Sequence, residues 1–114
     1  MANTERMNTL QIVRVARQAV DKVRKLPDLT PTQQNLVDSA YLTLVDIEDT
    51  LVLEDIKSSV KALQRGADEL GELTSRMKKS IDKIKKIANT VDKAATAVGA
   101  LADVVSTAMS AGIL

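Results

Sequence analysis

The chain has 114 residues, 45% apolar and 27% charged, with a net charge of +1, no Cys, His, Trp or Phe, and Tyr41 as its one aromatic side chain. That length supports a single domain around one core, and the apolar fraction is too high for a disordered chain. Without His and Cys the usual zinc, copper, haem and iron–sulfur ligands are missing, as are the commonest general base and the thiol nucleophile, so no catalytic residue, metal or cofactor is assigned.

The scarcity of aromatic residues argues against β-sandwiches, β-barrels and base-stacking nucleic-acid modules, so the expectation is an all-α chain. The first twenty residues hold Glu5, Arg6, Arg14 and Arg17 and no continuous apolar run, so no cleavable signal peptide is expected. Synthesis in the cytosol follows, with export by a signal-less route or association with a membrane left open.

The first predicted element runs over 4–26, with Asn3 or Thr4 as N-cap and a stripe of Ile12, Ala16, Ala19, Val23 and Leu26 at helical spacing, flanked by Val13 and Val20. Pro27 ends it. Thr30, Pro31 and Gln33 then fall at N-cap, N1 and N3, the pattern of a capping box with proline at its preferred position. A second helix is predicted over 31–65, with Leu36, Val37, Ala40, Tyr41, Leu44, Ile47 and Leu51 in its stripe. Lys57, Lys61 and Arg65 suit a last turn, and Gly66 suits a left-handed C′ position. The stripe slips near Glu48, which leaves an earlier end near residue 50 as the alternative.

A third helix is predicted over 67–112. Stepping by 4 and 3 from Ile56, a heptad row of sixteen positions reaches Met109 without slipping. One half-row is large (Leu63, Leu70, Met77, Ile84) and the other mostly small (Ala67, Thr74, Ala88, Ala95). Added apolar positions at Leu73, Ile87 and Leu101 widen the stripe, so this helix faces at least two neighbours. The fold expected is an elongated antiparallel bundle or coiled coil of two to three long helices.

A turn at Gly66 would leave the end of the third helix overhanging, with Val104, Val105, Met109, Ile113 and Leu114 uncovered. That surplus motivates the leading expectation: a non-enzymatic assembly or interaction protein, associating with other copies or another helical protein through a seam of Ile81, Ile84, Val91, Val98, Leu101, Val105 and Met109.

Two further readings compete with it. Residues 94–114 carry only Asp103 as a charge and follow a basic block, so a membrane-active protein is conceivable, although the central carboxylate cancels the apolar gain of a lone span. A small inhibitor or chaperone is the other, binding one partner through the acidic stretch 38–55 with Asp46, Glu48 and Asp49.

Charge is strongly segregated along the chain: residues 1–25 carry +4, 26–55 carry −7 and 76–93 carry +5. Lys78, Lys79, Lys85, Lys86 and Lys93 form the predicted basic stripe. It is either a solvated face or a surface for lipid headgroups, phosphates or the acidic helix of a neighbour. Nucleic acid is not expected, because the patch lacks aromatic platforms and a recognition motif, and nothing suggests a small-molecule substrate.

Overall fold

The computed structural model describes residues 2–112, with side chains described from Thr4 onward. The described chain is all-helical, in four helices: α1 (Ala2–Arg24), α2 (Pro31–Leu53), α3 (Val60–Met77) and α4 (Asp82–Ser110). Two to three long helices were expected, so the helix count and the second and third boundaries differ.

The first break lies where proline demands it. Leu26 N–H closes a last turn onto the Val23 carbonyl at 3.1 Å, and α2 starts on the capping box. There the Gln33 amide N–H donates to Thr30 Oγ1 at 3.2 Å, and the Thr30 amide N–H donates to Gln33 Oε1 at 2.9 Å. Two donors that a helix start leaves unpaired are thereby satisfied.

The second break lies at 54–59, not at Gly66. Glu54 is extended (φ −94°, ψ 154°), so the ladder stops there. The Arg6 guanidinium, reaching across from α1, donates to the carbonyls of Leu51 (2.5 Å) and Glu54 (3.2 Å). A cation on the last carbonyls stabilises a helix C-terminus. Gly66 sits instead in mid-α3, buried against α2, where an added Cβ would stand 2.8 Å from Ile47 Cγ1 and Cδ1. Its role is close approach between helices.

The third break, at 78–81, divides the long helix expected over 67–112. Ile81 is extended (ψ 160°), and the chain reverses from α3 into α4. The heptad row passes through the reversal because Met77 and Ile84, seven residues apart, are both fully buried, one on each side of the turn. A four-residue link thus keeps the periodicity that a continuous helix would have, and neither Gly nor Pro marks it.

The helices form a ring in which α1 packs on α2 and α4, and α3 packs on α2 and α4. Neighbours run in opposite senses. Arg6 reaches Leu51 while Gln34 donates to the Arg24 carbonyl at 3.0 Å, and Ile47 lies against Gly66. Ala67 lies against Gly99, 3.6 Å from where its Cβ would be. The body measures 51 × 21 × 17 Å.

Inside the ring lie fully buried Val13 and Val20 from α1, Leu44 and Leu51 from α2, Leu63 and Leu70 from α3, and Ile84, Val91 and Val98 from α4. In α1 the buried stripe is Leu10, Val13, Ala16, Val20 and Val23, rotated by about one position from the expected one, so that Ile12 turns outward. Two ion pairs lock α1 to α2, with Arg14 (3.0 Å) and Arg17 (2.5 Å) sharing the Glu48 carboxylate.

Candidate interaction surfaces

Of the seven residues expected to form an association seam, five are spent inside the chain's own bundle. Ile84, Val91, Val98 and Val105 are fully buried and Leu101 is 2% exposed. Only Ile81 (38%) and Met109 (42%) remain partly open, and they stand at opposite ends of α4. The overhang shrinks for the same reason. Because the hairpin turns at 78–81, α3 runs back along α4 from its start, with Ala67 against Gly99, and the N-terminal part of α1 lies beside Ala97 and Leu101 on the other side. Val105 is buried and Val104 is 42% exposed, while Ile113 and Leu114 lie outside the described residues.

The structure also redistributes the predicted basic stripe. Lys78 and Lys79 fall in the 78–81 link, Lys85 and Lys86 lie in the first turns of α4, and Lys93 sits a further two turns along. The five are exposed, but they form a cluster at one end of the bundle plus an outlying lysine.

In the acidic stretch, Glu48 is already committed to Arg14 and Arg17, while Asp46 and Asp49 are exposed on α2. The hydrogen bond that Arg17 donates to Glu48 raises the Arg17 guanidinium above its ordinary range, against the opposing effect of burial. A raised basic group stabilises the fold wherever it is protonated in the unfolded chain too, and loses that contribution only as pH rises through its folded value. Arg17 therefore stays protonated in the clasp up to strongly alkaline pH.

A surface that sequence reasoning passed over is the outer face shared by α1 and α4. Along α1, Asn8, Gln11, Val15 and Gln18 point outward at helical spacing and none is charged. Val15 is 53% exposed, beside Ile12 at 38%. From α4 the same face receives Thr90, Ala97, Ala100 and Val104. Shallow grooves run between the helices, one lined by Gln11, Ile12, Val15, Thr90 and Lys93, the next by Glu5, Asn8, Ala97 and Val104.

Charge enters this strip through Glu5 at one limit and through Lys93, which lines the groove beside Ile12 and Val15. Glu5 Oε2 is buried with no hydrogen-bond donor among the described residues. The opposite face, between α2 and α3, is lined by Asp46, Glu69, Glu72, Arg65 and Arg76. The signal for the uncharged face was present in the spacing of Asn8, Gln11, Val15 and Gln18. It went unread because Ile12 was assigned inward.

Among the described residues no cluster of three or more His, Cys, Asp or Glu is assembled that would hold a metal ion. No helix among them is long and apolar enough to cross a membrane. No family model matches the chain, and no match was found among curated proteins or solved structures.

Proposed function

We propose that this protein is a non-enzymatic helical interaction module that associates through the outer α1–α4 face, in the first instance with a second copy of itself. The observation that carries the reading is the strip from Asn8 to Gln18 with its α4 counterpart. In a chain that is 27% charged, this face presents exposed Ile12, Val15 and Val104 with only two charged groups, Glu5 at one limit and Lys93 beside the groove. Depletion of charge at the centre with polar groups at the rim is the compositional mark of an interface.

The strip from Asn8 to Gln18 is about 15 Å long by the helical rise, so a contact confined to it is smaller than the roughly 800 Å² per partner of a standard complex and belongs with weak, concentration-dependent association. The bundle's antiparallel, coiled-coil-like packing supplies the rigid platform, and the interior heptad row plays no part in the contact.

Light scattering across a concentration series tests it. The native chain should rise to twice the monomer mass, and Val15→Glu should hold it at monomer mass with unchanged helical circular dichroism. A native chain that stays monomeric at the highest concentration removes the self-association reading.

A further inference from the structure

Charge is distributed unevenly along the bundle's long axis. Residues 21–28 and 76–86, which end α1, join it to α2, and make the turn from α3 into α4, carry nine basic and three acidic side chains, a net +6. The N-terminal part of α2 at the same end, residues 31–37, adds no charge, and the rest of the molecule carries −5.

The acids present at this end are already engaged. Asp21 pairs with Arg24 (3.3 Å) and Lys25 (3.0 Å), and Asp28 pairs with Lys83 at 2.9 Å, which ties the α1–α2 link to the first turn of α4. Asp82 opens α4, where a helix N-terminus favours a carboxylate. Lys22, Lys78, Lys79, Lys85 and Lys86 remain exposed with no acidic partner within ion-pair distance among the described residues. At the outermost turn, between Lys79 and Lys83, stands Ile81, 38% exposed.

We propose that this end is a peripheral docking surface for an anionic lipid bilayer, which the bundle meets end-on with Ile81 entering the headgroup boundary inside a ring of lysines. Two weak signals acting together, a polybasic cluster and an apolar side chain at its centre, are what reversible membrane attachment requires. Seven of the nine basic residues are lysines, and Arg24 is occupied over the Tyr41 ring at 4.0 Å. Point charges on a convex end suit a diffuse negative surface better than they suit a nucleic-acid groove, and an apolar tip adds nothing on phosphates. The net negative remainder of the molecule orients it, repelled from the surface that attracts the lysines. This assigns membrane contact to the end opposite the C-terminus of α4, and it is independent of association through the α1–α4 face.

The test uses the whole chain with vesicles of phosphatidylcholine alone or with added phosphatidylserine, separated by sedimentation. The expected result is binding to the anionic vesicles only, abolished by high salt as screening shortens. Because each lysine near such a surface is worth about fivefold in affinity, the double variant Lys78→Glu, Lys79→Glu should weaken binding at least about tenfold.

The chain has no Trp, so Ile81→Trp introduces a single clean reporter. Its emission should shift to the blue with anionic vesicles, while that of Val104→Trp should not. The proposal is overturned if the native chain ignores phosphatidylserine vesicles, if lysine reversal leaves binding intact, or if Val104→Trp shifts and Ile81→Trp does not. Salt-sensitive binding to a DNA duplex without vesicle binding would overturn it in favour of nucleic acid.

Discussion

Thr74 is the sharpest single-residue case. It occupies a small-residue position of the heptad row, is 2% exposed, and its hydroxyl has no partner among the described residues. An unpaired buried hydroxyl costs about 1–3 kcal/mol, whereas an apolar group of the same shape costs nothing of that kind. Thr74→Val is therefore expected to stabilise the fold by about 1 kcal/mol, read as a rise of a few degrees in Tm.

The glycines of α3 make a second, internally controlled comparison. Gly71 has open space where a Cβ would stand, so Gly71→Ala should stabilise by about 0.5–1 kcal/mol through helix propensity alone. Gly66→Ala gains the same propensity but drives a methyl into Ile47, and overpacking costs about 1–3 kcal/mol, so it should be neutral to destabilising. Urea denaturation of the two variants in parallel gives the sign of each. If Gly66→Ala stabilised as much as Gly71→Ala, the close approach of α2 and α3 at Ile47 would be refuted.

At the scale of the helix, Thr30 holds the start of α2 through a reciprocal capping box with Gln33. Thr30→Ala should cost about 1 kcal/mol, measured by denaturant unfolding, and Thr30→Ser should retain most of it. This box was legible in the sequence because capping is local chemistry, and so was the break at Pro27.

The later boundaries were hidden for physical reasons that particular residues make plain. Gly66 resembles a helix terminator by residue type, but its use is set by Ile47, a residue nineteen positions away. The end of α2 depends on Arg6, forty-five positions from Leu51. The turn at 78–81 preserves the heptad phase between Met77 and Ile84, so periodicity alone could not reveal the reversal. The all-α class was readable from composition and period, while the number of helices was decided by tertiary contacts.

At the scale of the whole molecule, the apolar surplus that the sequence assigns to the C-terminal helix is mostly absorbed by the other three helices. What remains outside includes a charge-poor face on α1 and α4 and a lysine-rich end, beside separately exposed Met7, Leu42, Val52 and Leu53. Two valines of α4 separate the interior from that outer face: Val98 is fully buried and Val104 is 42% exposed.

Placing a carboxylate at each site, and following helicity and solution mass together, tests most directly the claim that the heptad row is consumed within one subunit while association uses the outer face. Val98→Glu buries an unpaired charge and should lose cooperative folding, with a collapse of the helical circular dichroism signal. Val104→Glu should keep native helicity and lose only the dimer. If Val98→Glu instead remained a fully helical monomer, the row would be a contact between subunits and the account would be contradicted.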